Sequence, residues 1–237
     1  MYPKLEHPFS MIIAGPSGCG KSTFVCNLLH NLDVVNTKFH KILWCNSETN
    51  AIPKTIQNIK NVRFLDSIPD EFNNPENKPI LVILDGFMTE IDANAGLKIC
   101  ELFTKGSHHR SISVILITQN IFHKGRYCRD ISLNAKYIVI FKNPRDKTQF
   151  NHLARQIYPE NVRALKNLYK EITQVGHSYL FIDLSQGIHD AVRFRTNIFN
   201  RSYTTCYCDK TQLKKINLNE AVKGEQAYVI CAKSTRP

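Results

Sequence analysis

The sequence predicts an α/β fold with a mainly parallel sheet, and three observations lead to it. First, apolar runs of strand length alternate with segments of helical spacing as far as about residue 199 of 237, the pattern of a parallel sheet with helical crossovers. Second, ILVILDGF (80–87) and SVILITQN (113–120) are continuous apolar runs, suited to central strands buried on both faces. Third, GPSGCGKST (15–23) stands between an apolar strand-like run, FSMIIA, and a segment in which Phe24, Val25, Leu28, Leu29 and Leu32 recur at helical spacing.

The third observation also points to a ligand. Gly15, Gly20, Lys21 and Ser22 complete the pattern G-x-x-x-x-G-K-[ST], in the strand-to-helix context that the pattern requires. Glycines let the backbone curl so that successive N–H groups face phosphate oxygens, and the following helix turns its positive end to the same anion. The whole run Gly15, Pro16, Ser17, Gly18, Cys19, Gly20, Lys21, Ser22 and Thr23 is the expected nucleotide-binding loop. Lys21 is placed to reach the outer phosphates of ATP and Ser22 to ligate Mg²⁺; the Cys19 side chain has no required part.

The elements that follow can be read in order. FHKILWCN (39–46) and NVRFLD (61–66) are strand-like, and SIPDEFNNPENKP (67–79), rich in Pro, Asn and acid, reads as a surface loop. After the run 80–87 comes a helix, NAGLKICELFTKG (94–106), and then the run 113–120. AKYIVIFKN (135–143) is a strand, RDKTQFNHLARQIY (145–158) and ENVRALKNLYKEITQ (160–174) are helices, and HSYLFIDLS (177–185) and AVRFRTNIF (191–199) are the last strands. This gives a three-layer α/β/α domain of the P-loop NTPase type (ASCE/RecA-like) over residues 1–200, with 201–237 a basic tail or small extension.

Composition narrows the partners. Apolar residues at 43% and charged residues at 22% are ordinary for a globular protein. No run approaches the roughly 20 apolar residues of a membrane span, and MYPKLEHPFS does not read as a signal peptide. The chain is therefore expected to stay inside a cell or be carried inside a particle, without a membrane partner. Eight scattered cysteines suggest reduced thiols, and neither Cys206 and Cys208 nor His108 and His109 have zinc-ligand spacing. The formal charge of +11, from 31 Lys and Arg against 20 Asp and Glu, suggests a polyanionic partner.

Chemistry beyond phosphate binding rests on strand ends. Asp85 closes one buried strand and is placed to hold Mg²⁺ through its water shell, with Ser22. A hydrolytic motor often has a second acid directly after this one, and here that position is Gly86. Glu90 is the first choice for the base that activates water, with Glu48 and Asp92 as alternatives. Gln119 and Asn120 end the neighbouring strand, where a polar side chain can sense the γ-phosphate; ordinary strand caps are the other reading.

Together GPSGCGKST, LVILD, GSHHRSISVILITQNIFHKGR and RDISLNAKYIVIFKNPRDKTQFNHLARQIYPEN resemble the DNA-packaging ATPases of Maverick/Polinton-type elements and adintoviruses, relatives of the poxvirus-type enzyme in the FtsK/HerA superfamily. The resemblance spans roughly residues 9–200 and is most specific from Gly106 to Pro159. It implies an ATP-driven ring, hexameric in the family, that threads double-stranded DNA into a capsid, with capsid or portal proteins as partners. Carried over residue by residue, Lys21 and Ser22 contact phosphate and Mg²⁺, Asp85 is the acid of the second motif and Gln119 the sensor. Gly86 departs from the family, whose members commonly have an acid there. A ring would also complete each site with a neighbour's arginine: Arg110 and Arg129 lead, with Arg126 and Arg145 behind, and Lys124 and Arg126 are candidate pore residues. A P-loop kinase of a small molecule or nucleotide and a slow ATP-dependent assembly switch stay open as alternatives. GTPases are disfavoured, since no N-K-x-D motif occurs. The expected place of action is the host nucleus or cytoplasm where capsids assemble, or the virion itself.

Overall fold

The computed structural model describes residues 3–46, 59, 61–69, 72, 74, 76–87, 94–106, 111–122, 125–200 and 204–207. The chain divides into two compact units, Lys4–Ile138 and Val139–Pro237, the latter including Met1–Pro3.

In the first unit, β1 (Ser10–Ala14) leads through the phosphate loop into α1 (Lys21–His30), followed by β2 (Lys41–Asn46), β3 (Val62–Leu65) and β4 (Ile80–Asp85). Next come α2 (Asn94–Glu101), which runs on into a π-helical turn at Leu102–Gly106, then β5 (Ile112–Thr118) and α3 (Cys128–Leu133). The order across the sheet is β3-β2-β4-β5-β1, and every pairing among these strands is parallel. All residues of β1 and β5 are buried, as is β4 up to its terminal aspartate, so these strands are covered on both faces, as their continuous apolar sequences require. The helix α3 was not anticipated, because six residues are too few to display a helical period.

The edge of this sheet opposite the phosphate loop has its own polar lock. The ring of His7 meets Ser113 Oγ through Nδ1 at 2.7 Å and Ser111 Oγ through Nε2 at 3.0 Å, while Ser113 Oγ also accepts from Phe9 N. A neutral imidazole can donate at one nitrogen and accept at the other, and burial lowers the pKa of His7. These bonds tie the start of β1 to the start of β5.

β6 (Tyr137–Phe141) spans the division between the units. The second unit continues with α4 (Thr148–Ile157), α5 (Val162–Ile172), β7 (Tyr179–Asp183), β8 (Phe194–Thr196) and β9 (Thr205–Tyr207). Here the pairing changes sense: β7 with β8 and β8 with β9 are antiparallel. The strand expected over 191–199 shrinks to three residues, because a 3₁₀ turn capped by His189 occupies Asp190–Val192 and Asn197 turns the backbone out of the strand at φ 55°. β9 lies in the segment read as a tail, and residues 208–237 lie outside the described residues.

Between these antiparallel strands sits a buried ion pair. Arg195 Nη2 donates to Asp183 Oδ2, with the two side chains 2% and 3% exposed. The guanidinium lies 4.6 Å from the centre of the Phe181 ring, and Nη1 donates to the Pro3 carbonyl at 2.8 Å. The two charges thereby offset each other within the unit, which is the condition for burying them at all.

Candidate functional site

The site is built where β1 ends. Gly18 and Gly20 take φ +75° and +110°, left-handed conformations that a Cβ disfavours; at Gly18 nothing lies within 4 Å of an added Cβ, so the backbone and not space demands glycine. Gly20 is the N-cap of α1, which has neither a side-chain cap nor an acid in its first turn. Its leading N–H groups face the loop with no carboxylate of the helix competing for them, an arrangement that favours phosphate.

Lys21 is folded over this loop. Its Nζ donates to the carbonyls of Gly15 at 2.8 Å and Pro16 at 2.9 Å, which holds the ammonium beside the cradle rather than out in solvent. The loop is also fastened to its neighbouring strand, through Gly15 N donating to Thr118 O at 3.3 Å. Burial pushes the Cys19 thiol up, opposed by the Lys21 cation, which pulls it down. Pro16, Cys19, Gly20, Lys21 and Ser22 are half-buried, whereas Ser17, Gly18 and Thr23 are exposed.

Strand register then sets which groups share the level of the loop. Ala14 pairs with Thr118, Ile117 with Asp85, and Asp85 with Asn46. Because β5 lies between β1 and β4, the residue after Thr118 stands between the phosphate loop and the acid. That residue is Gln119, and its Nε2 lies 3.4 Å from Ser17 Oγ in donor geometry. Asn120 does different work: its Oδ1 accepts from Phe122 N at 2.8 Å, and its backbone exchanges hydrogen bonds with the Thr118 hydroxyl. It closes the turn after β5.

Asp85 is half-buried at the end of β4, level with the buried Asn46. Paired residues in register on parallel strands project to the same face, so Asn46 accompanies the carboxylate. Sequence reading passed over Asn46; its one signal was a polar residue closing an otherwise apolar strand. Gly86, directly after Asp85, has φ +86°. An acid at this position would have to adopt a left-handed backbone, at a cost of roughly 1–2 kcal/mol, so the missing second acid is a property of the turn and not only of the residue choice.

A hydroxyl at the start of α1 and a carboxylate one strand beyond the sensor position, both oxygen donors, suit a hard cation that keeps most of its water. Ser22 and Asp85 fit Mg²⁺ in that sense. Arg126 and Arg129 are exposed, Arg126 lying 5.5 Å from the centre of the Tyr127 ring and Arg129 standing on α3. Arg145 is exposed in the second unit. Glu90, Glu48, Asp92, Arg110, Lys124, His108 and His109 lie outside the described residues.

The chain matches no family model, and no curated protein matches it. Solved structures do resemble it. The genome packaging NTPase B204 of Sulfolobus turreted icosahedral virus 2, in complex with ATP-gammaS, superposes with a TM-score of 0.51 at 16% identity, covering 79% of this chain and 96% of that one. B204 of Sulfolobus turreted icosahedral virus, a DNA-packaging ATPase, gives 0.53 at 15% identity over 77% and 96%. The cytoplasmic domain of the type VII secretion ATPase EccC from Thermomonospora curvata gives 0.50 at 10% identity, over 75% of this chain but 24% of that one. With the parallel strand order and the loop geometry, these likenesses establish the P-loop NTPase α/β fold.

Proposed function

We propose that this chain is an ATPase that drives double-stranded DNA into a viral or virus-like capsid, working as a homo-oligomeric ring, hexameric by the family resemblance. The observation that carries this reading is the position of Gln119. It directly follows the strand inserted between the phosphate-loop strand and the acid strand, and its amide reaches Ser17 of the loop. A group so placed can distinguish ATP from ADP and pass the difference along β5, which a motor needs and a simple phosphate-transfer enzyme does not.

Further support comes from the +11 charge and from the fold shared with proteins described as genome-packaging enzymes. In this scheme Lys21 and the loop N–H groups neutralise the charge that grows on the β- and γ-phosphates. Ser22 and Asp85 would hold Mg²⁺, which supplies electrostatic stabilisation of the transferring phosphoryl group when bound. Glu90 would orient the attacking water, and Arg110 or Arg129 would reach a neighbouring subunit's nucleotide. The ring would dock on capsid or portal proteins where capsids assemble, in the host nucleus or cytoplasm, and could remain with the virion.

The test is steady-state ATP hydrolysis with and without long duplex DNA, for the wild type, Lys21→Ala and Gln119→Ala. DNA-stimulated turnover is expected in the wild type; in Gln119→Ala the basal rate should persist and the stimulation fall roughly tenfold, about the 1.4 kcal/mol of one hydrogen bond to a charged group. A wild type indifferent to DNA would overturn the motor. One observation favours a second reading: the left-handed Gly86 leaves no acid after Asp85, as a slow ATP-dependent assembly switch would require, and tight ATP binding with negligible turnover would establish it.

A further inference from the structure

In the second unit, nine Lys and Arg face five Asp and Glu between residues 139 and 200. The acids are largely committed. Asp183 and Asp190 are paired with Arg195 and Arg193, and Asp146 accepts from Thr148 and Gln149 at the start of α4, bonds that lower its pKa. The cations outside those two pairs are therefore left facing solvent.

Their placement on α5 is regular. At about 100° per residue, Arg163, Lys166 and Lys170 fall within roughly 60° of one another on the helix circumference. Leu165, Leu168 and Ile172, buried at 2%, 6% and 8% exposure, lie on the opposite side. Glu171, the one acid of the helix, is displaced by roughly a quarter turn from the cationic ridge. Beside the ridge the turn after β6 adds Lys142, Arg145 and Lys147. Tyr169 pins that turn to α5: its hydroxyl donates to Phe141 O at 2.7 Å and accepts from Asn143 N at 3.2 Å, and its ring stacks on Phe150 of α4 at 3.9 Å between centres. Asn143 Oδ1 in turn accepts from Arg145 N and Asp146 N, both at 3.1 Å. All six cations are exposed, and among the described residues none of their side chains joins an ion pair.

We propose that this face, the outer side of α5 with the turn 142–147, binds the phosphate backbone of duplex DNA. The inference rests on the motor reading and adds to it a surface outside the nucleotide site. A membrane surface is disfavoured because a helix lying on lipid needs large exposed apolar residues beside its cations, and Leu165, Leu168 and Ile172 of α5 are buried on the other side. A docked protein would want an apolar anchor at the centre of the contact, which the ridge lacks. Three cations spread over eight residues span about 10 Å of helix, a length comparable to a few successive phosphates, and contacts of this kind hold DNA without reading its sequence.

Binding of a duplex of about 30 base pairs to the full chain, followed by fluorescence anisotropy across salt concentrations, tests the proposal. If each of the six cations neutralises one phosphate, log K falls with log salt at a slope of about −5.4, or about 10³-fold in affinity between 50 and 200 mM. In Arg163→Gln/Lys166→Gln/Lys170→Gln the slope should drop to about −2.7 and that loss to about 40-fold, with DNA-independent ATP turnover and the circular dichroism spectrum unchanged. A variant slope equal to the wild type's would overturn the assignment and leave the motor standing. No duplex binding by the wild type would overturn both. Poly-glutamate binding that the substitutions weaken, alongside an unaltered DNA slope, would assign the face to an acidic protein instead and overturn the proposal.

Discussion

The two units of this chain use polar residues in opposite ways. In Lys4–Ile138 the polar groups stand at strand ends, on top of an apolar parallel sheet: Asn46, Asp85, Gln119 and the loop around Lys21. In Val139–Pro237 the central polar groups are internal, with Asp183 and Arg195 closed on each other between antiparallel strands, while among the described residues the cations of α5 and of the turn 142–147 face outward. The difference is one of commitment. A parallel strand carries its chemistry at its carboxyl end, where neighbouring strands bring similar ends to one level. A buried ion pair in a hairpin spends its charges on holding the strands together, so contact with a polyanion falls to the exposed helix.

That contrast can be broken, and the largest effect is expected in the second unit. Asp183→Ala would leave the Arg195 cation buried without its carboxylate and should cost about 3–5 kcal/mol in denaturant unfolding. Asp183→Leu with Arg195→Met should recover most of this, since well-packed apolar replacements of buried pairs are often neutral; a mild single variant would show that the pair does not support the unit from within. In the first unit, Lys21→Ala should lower ATP turnover by about 10²–10³-fold, the scale of one lost electrostatic stabiliser, with little change in unfolding midpoint. A large loss of stability there would mean that the strand-end groups hold the fold together after all.

A smaller effect is expected at the turn after β4. Gly86→Ala should destabilise by about 1–2 kcal/mol because of the left-handed backbone, and Gly86→Glu should not raise turnover. Restored or faster hydrolysis in Gly86→Glu would show that the turn accepts the acid common in the resembled family. The smallest is a pH effect at His7. Burial lowers its folded pKa, so the neutral ring is favoured in the native state. Its contribution is complete above the unfolded value of about 6.5 and is lost as pH falls from there through the folded value. Urea midpoints measured between pH 7.5 and 5.5 should fall toward acid, and His7→Asn should flatten that slope; equal slopes in both proteins would show that His7 does not carry the effect.

Much of the nucleotide site could be read directly from the chain. The phosphate loop has a local cause: glycines at left-handed positions, a lysine one residue into the helix and a strand before it are all set by adjacent residues. Asp85 was legible for a similar reason, since a lone acid directly closing a continuous apolar run marks the carboxyl end of a buried strand. Asn46 was missed because its meaning comes from register, which pairs it with Asp85 across two strands distant in sequence. Gly86 was visible as a departure, but its φ was not. The short elements α3 and β9 escaped because three to six residues show no period, whereas β8 was expected but over too long a stretch. The cations of α5 could be counted but not distinguished from a solvated face until their carboxylate neighbours were located.

By itself, then, the sequence determined the α/β class, the phosphate loop and the acid at the end of β4, because each depends on residues within a few positions of one another. Only the tertiary structure decided that Asn46 stands level with Asp85, that Gln119 rather than Asn120 reaches Ser17, and that Asp183 and Arg195 close on each other. Those choices are made by hydrogen bonding and desolvation between segments far apart in the chain. Local propensity holds no information about which distant partner a strand or a charge will meet.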